Sequence, residues 1–188
     1  AECDVVIGVS PQTAGTARRL QIACAPSAGL GVDDDTRLRH LVRMVENLKI
    51  ASVLNKAPGA LLPFVYDVKQ CMRANPYHGF SHVTDVTQYM YTLLLATHVA
   101  DALSPVERAA ALVAAMCHDL DHPGLSNTFQ NNENSELSQR YDRQSPLENH
   151  HLAVFEANFR FTAIFFKRCV WIFFGLQLFG VFFARLCA

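Results

Sequence analysis

Between Asp33 and Phe155 no stretch alternates apolar and polar residues, whereas apolar residues recur at spacings of three and four. A strand turns successive side chains to opposite faces, and a helix brings i, i+3 and i+4 to one face. The pattern therefore predicts an all-α fold. Asp33-Asp34-Asp35 offers a helix start with carboxylates at the positive end of the dipole. Leu38, Leu41, Val42, Val45 and Leu48 follow as one helical stripe. Pro58-Gly59 is expected to break this helix, and a second is expected over 61–73. The pattern is helical again from Ser81 to about His98. Ser104-Pro105-Val106-Glu107 reads as a capping box with proline at the first helical position, and its helix continues through Leu112, Val113 and Met116 towards His118. Ser145-Pro146-Leu147-Glu148 reads as the same device.

The 188 residues suffice for one domain with a moderate core. Residues 1–32, rich in Ala, Gly, Ser, Thr and Pro, read as a loop-like lead-in. The helical domain is expected over 33–154. Ten of the 13 phenylalanines lie between 155 and 188, and no acid follows Glu156, so 155–188 reads as a separate apolar tail. The 16 basic and 17 acidic residues nearly balance, which argues against a nucleic-acid surface or a polybasic membrane contact. The six cysteines form no C-x-x-C pair, which favours a reducing, cytoplasmic compartment over a disulfide framework. Cys117, beside His118, reads as buried filler. No basic start precedes a long apolar run in the first 30 residues, so no signal peptide is expected, and Ala1 suggests a processed product or a fragment.

Two clusters carry chemistry. The first is Tyr77-His78-Gly79-Phe80-Ser81-His82, whose histidines share one face if the segment is helical. The second is His118-Asp119-Leu120-Asp121-His122-Pro123-Gly124, at the end of an apolar helix. Imidazole and carboxylate together suit zinc or a similar ion, and carboxylate with water suits magnesium or manganese. A mixed set sharing one carboxylate could hold two ions, which can activate water and neutralise a phosphate under in-line attack. The spacing alone predicts a metal site and does not name a reaction.

Asn75-Pro76-Tyr77-His78 with His82 and Asp85-Val86 resembles the first signature of class I 3′,5′-cyclic nucleotide phosphodiesterases. His118-Asp119-Leu120-x-His122-x-Gly124-x-x-Asn127-x-Phe129 is similar to that family's His-Asp signature. Asn134-Ser135-Glu136-Leu137 and Ser145 to His151 follow in the family's order, and so does the 36-residue step from His82 to His118. The resemblance runs from about 61 to 154. It implies a truncated helical bundle of the His-Asp type that hydrolyses cAMP or cGMP to the 5′-monophosphate. By the same resemblance His78 is the proton donor to the leaving 3′-oxygen. His82, His118 and Asp119 are metal ligands, Asp119 bridging two ions, expected as Zn2+ with Mg2+ or Mn2+. His122 and Glu148 hold water or orient the acid, with a plain helix-start role open for Glu148. Tyr77 lines the substrate pocket, and Asp121 is expected at the surface or in support behind the ligands rather than as a ligand itself.

The chain also departs from the family pattern. The family has Asn after the general acid where this chain has Gly79, which predicts a lost hydrogen bond and a looser backbone beside His78. The family closes its site with a downstream aspartate, a glutamine and an aromatic clamp, and this chain has no aspartate after Asp142. A catalytically incomplete fragment is therefore the alternative to an active enzyme. Residues 169–184 are 16 uncharged residues, about 24 Å of helix against a hydrocarbon core of about 30 Å. A membrane span there is short, and an unrelated sequence joined near Phe155 is the preferred reading.

Overall fold

The computed structural model describes residues 32–96 and 101–159, and among them every regular element is a helix. In chain order these are α1 (Asp34–Asn47), α2 (Ile50–Val53), α3 (Leu62–Gln70), α4 (Phe80–Leu95), α5 (Pro105–Cys117), α6 (Asn127–Asn132), α7 (Glu136–Arg140) and α8 (Pro146–Asn158). The all-α expectation holds.

α1 begins where the three acids predict. Asp33 is the N-cap, its carboxylate accepts from the Thr36 N–H at 2.7 Å, and Asp34 and Asp35 fill the first turn. Of the predicted stripe, Leu41 and Val45 are buried, while Leu38, Val42 and Leu48 pack at its margin. The helix does not run on to Pro58. It stops at Leu48 because Lys49 adopts the left-handed region (φ 52°), and α2 is a separate short turn. α3 is shorter than its expected span.

α5 is the centre of the fold. Ser104 caps it through the predicted box: its hydroxyl accepts from the Glu107 N–H, and Glu107 accepts from the Ser104 N–H at 2.9 Å. Every residue from Ala109 to Cys117 is buried, so this helix is apolar all round, as an interior helix must be. α4 packs against both α1 and α5, and α1 packs against α3. Replacing Ser104 with alanine is expected to cost about 1 kcal/mol, read as a lower urea midpoint. An unchanged midpoint would show that the cap contributes nothing.

The second predicted box does not form. Ser145 sits at φ 44° and its side chain makes no cap bond. Asn127, on α6, replaces it from across the chain, because its Oδ1 accepts from the Leu147 N–H at 3.0 Å. Its Nδ2 then donates to both Glu148 oxygens at 3.0 and 2.9 Å. One asparagine thus satisfies the helix start and holds the carboxylate that was expected to close the box.

The expected boundary at Phe155 falls inside α8, which continues to Asn158. Phe155 and Phe159 are buried in the core, and the Phe159 ring meets Phe64 edge-on at 5.0 Å. The rest of the expected tail, the lead-in up to 31, and the end of the helix expected to reach His98 lie outside the described residues. Among the described residues no helix is long and apolar enough to cross a membrane, and 169–184 is not among them.

Candidate metal centre

Two chain reversals build the site. At the end of α5, His118 keeps helical angles, and the chain then turns: the His122 N–H bonds the Asp119 carbonyl at 3.1 Å, and Asp121 takes φ 55°. Gly124 completes the turn at φ 79°, where a side chain would be strained. This places His118 and Asp119 at the mouth of a buried helix. The other reversal leads into α4. His78 precedes the helix and His82 lies in its first turn, with Gly79 as N-cap. The two rings, 5.3 Å apart, converge through this entry turn and not through a shared helical face. Gly79 is not loose: its N–H bonds the Tyr77 carbonyl at 2.8 Å, and its carbonyl accepts from Val83 at 3.2 Å. A Cβ there would stand 3.1 Å from the Asn75 carbonyl oxygen, so the turn leaves little room for a side chain.

Three imidazoles converge on one carboxylate oxygen. Asp119 Oδ2 lies 2.7 Å from His78 Nδ1, 3.4 Å from His118 Nε2 and 3.5 Å from His82 Nε2. Its other oxygen, Oδ1, lies 3.9 Å from His151 Nε2. Asp119, His122 and His151 are buried. Two groups bring their ligand atoms within 4.8 Å of one another: His78, His82 and Asp119, and Asp119, His122 and His151.

Hydrogen-bond partners fix which nitrogen of each ring is free. A carbonyl can only accept, so His118 Nδ1 donates to Ala115 at 2.9 Å, and its Nε2 lone pair is left towards Asp119. His151 Nδ1 donates to Leu120 at 2.7 Å, with the same consequence. His122 is the reverse. Its Nδ1 accepts from the Gly124 N–H at 2.9 Å, so in the neutral ring Nε2 carries the proton and is a donor.

Burial holds His82 down to about 4, and the neighbouring His118 adds to the effect. Burial also lowers His122 and His151 to about 4, against the pull of Asp119. For Asp119 burial pushes upward, but the His78 hydrogen bond and the neighbouring His118 and His151 rings outweigh it and hold the carboxyl below its ordinary range. The low values of His82, His122 and His151 leave those imidazoles neutral beside an ionised Asp119, the protonation states that a divalent cation requires of its ligands, so this donor set fits one.

Tyr77 is exposed, with its ring 4.8 Å from both His78 and His82. Asp121 is engaged outside the cluster. Arg73 grips it with two hydrogen bonds, one of 2.8 Å, and His150 Nε2 meets it at 2.8 Å. The Arg73 hydrogen bond holds the Asp121 carboxyl below its usual range. This exposed pair is worth about 0–1 kcal/mol at most. Glu148, tied to Asn127, makes no hydrogen bond to the histidines among the described residues. His151 was not singled out from the sequence as a member of the site, although it stands next to His150 in the last motif.

Residues 77–160 match the family model described as 3′5′-cyclic nucleotide phosphodiesterase. That segment of the chain is similar to the 3′,5′-cyclic nucleotide phosphodiesterase family. Over 120 residues it is 39% identical to a cGMP-specific 3′,5′-cGMP phosphodiesterase of Dictyostelium discoideum, a match covering 64% of this chain and 26% of that protein. Over 83 residues it is 47% identical to a 3′,5′-cyclic-AMP phosphodiesterase of Drosophila melanogaster, covering 44% of this chain and 12% of the relative. The fold is similar to the phosphodiesterase domain of a RhoPDE fusion protein from Salpingoeca rosetta, with a TM-score of 0.64 and 33% identity, covering 74% of this chain and 42% of that one. The chain thus spans about a quarter of the Dictyostelium relative and less than half of the solved domain.

Proposed function

We propose that this chain supplies the His-Asp half of a metal-dependent site that hydrolyses cAMP or cGMP to the 5′-monophosphate. The observation that carries the reading is the convergence of His78, His82 and His118 on one oxygen of Asp119. His82, His118 and Asp119 would hold the cation, with Asp119 shared between a zinc and a magnesium or manganese ion. Such ions, when bound, supply an activated water and neutralise phosphate charge. His78 gives its proton to the 3′-oxygen as water adds to phosphorus and the P–O3′ bond breaks, a task suited to an imidazole. Its Nδ1–H···Asp119 bond orients the ring for this. His122 presents an Nε2–H, which serves to hold water or phosphate oxygen and not to ligate. Tyr77 borders the nucleotide at the open side. Glu148 acts through Asn127, steadying the loop that follows the His-Asp motif.

Turnover of cAMP and cGMP with zinc plus magnesium tests the proposal, in this chain and in one completed with a family-like carboxy-terminal half. The completed chain is expected to hydrolyse both or either in a metal-dependent way, and His118→Ala is expected to abolish it. The 188 residues alone are expected to turn over poorly, because an unpositioned phosphate forfeits several kcal/mol of barrier reduction. A completed chain whose rate ignores metal or the His118 change would sink the proposal. Robust, His118-dependent turnover by the 188 residues would show that a residue such as Asp142 or Glu156 closes the site.

A further inference from the structure

We propose that Asn75 is a positioning residue whose single carboxamide nitrogen sets the stacked pair formed by the rings of His78 and His122. This rests on the proposed role of His78 as proton donor.

The geometry is a two-way clamp. Asn75 Nδ2 donates to the His78 carbonyl at 3.1 Å and to the His122 carbonyl at 2.6 Å. Those two residues are 44 apart in the chain and sit on different reversals, so no local structure brings them together. Their rings nonetheless lie almost parallel, 14° apart in plane, with centroids at 4.0 Å. A carboxamide nitrogen has two protons, and both are used here, one for each carbonyl.

Asn75 is itself fixed on three sides. Its N–H bonds the Arg73 carbonyl at 2.8 Å, and Pro76 after it restricts its backbone to extended angles. Its Oδ1 faces Gly124 so closely that a Cβ there would stand 3.1 Å away. Two residues upstream, Arg73 grips Asp121, and the Asp121 N–H bonds the Cys71 carbonyl at 2.9 Å. Residues 71–75 therefore run as a splint along the His-Asp loop, and Asn75 is the point at which the splint reaches both rings' backbones.

The consequence is chemical. The His78 ring is held between Asp119 at its Nδ1 edge and the His122 ring against its face. If the loop carrying His122 drifts from the turn carrying His78, the ring loses the plate against which it is aligned. An error of about 1 Å in such a supporting shell is enough to disable a site.

Ring-proton NMR of the 188-residue chain, wild type beside Asn75→Ala and Asn75→Asp, tests the assignment. The aspartate keeps the shape and loses the donor. In both variants the ring protons of His78 and His122 are expected to lose their mutual ring-current shift. His118, anchored on Ala115, is expected to keep its signals, and the far-ultraviolet helical signal is expected to stay. Unchanged His78 and His122 signals in either variant would overturn the assignment, and so would loss of the helical signal in both, which would make Asn75 a fold residue. Zinc uptake is read on the same samples. A wild-type chain that takes up no zinc would remove the function that the pair serves, and the role of Asn75 with it. Normal uptake with unmoved rings would overturn the assignment of Asn75 alone.

Discussion

Replacing His78 with alanine in a chain completed with a family-like carboxy-terminal half is expected to slow cyclic nucleotide hydrolysis by roughly 10²–10⁴-fold, with metal content unchanged. The expectation separates two roles that the geometry allows for one ring. His78 Nδ1 lies nearer to the Asp119 oxygen than either proposed ligand, and His78, His82 and Asp119 could together hold an ion. A proton donor and a ligand differ in what their loss removes. Loss of the donor leaves the leaving 3′-oxygen to depart as an alkoxide, while the cation stays. Loss of a ligand takes the cation as well. Metal analysis beside the rate decides between them: a fall in both would make His78 a ligand, and an unchanged rate would remove it from the mechanism.

Leu112→Ala is expected to destabilise the fold by about 2–5 kcal/mol. Leu112 is fully buried in the middle of α5, the helix whose end carries His118 and Asp119. Deleting its methyl groups removes transfer energy and leaves a cavity that its core neighbours cannot fill without moving. Against a typical domain stability of about 5–15 kcal/mol, this is a large share. Urea unfolding followed by the helical signal measures it. A loss well under 1 kcal/mol would mean that α5 is less central than its burial indicates.

The sequence shows the helices most clearly where a start signal and a stripe agree. Asp33 with the α1 stripe, and Ser104 with α5, satisfy both conditions, and both helices begin where expected. Errors arose where one residue's backbone preference was outvoted by distant contacts. Lys49 ends α1 by entering the left-handed region, a position for which lysine gives no signal. Ser145 has the pattern of a capping box, but Asn127 does the capping from 20 residues away, and a contact of that kind leaves no mark in local spacing. Likewise the fall in acidic residues near Phe155 is a change of composition, and α8 crosses it because Phe155 and Phe159 face the core beside Phe64.

The candidate site was legible as a set of residues and not as an arrangement. His78, His82, His118, Asp119 and His122 meet as the motifs imply. The tautomers do not follow from sequence, because they depend on the Ala115, Leu120 and Gly124 backbone groups that each ring finds in the folded chain. For the same reason the motifs name Asn75 and His151 without giving either a place in the site: each meets a partner remote in the chain, the His122 carbonyl for one and Asp119 for the other.

Zinc content of the purified 188-residue chain, wild type against His118→Ala, bears most directly on the central claim. The Nε2 of His118 is left free by its Ala115 bond and lies 3.4 Å from Asp119, so the wild type is expected to retain zinc, weakly, and the variant to lose it. Equal zinc in the two proteins would contradict the assignment of His82, His118 and Asp119 as the ligands.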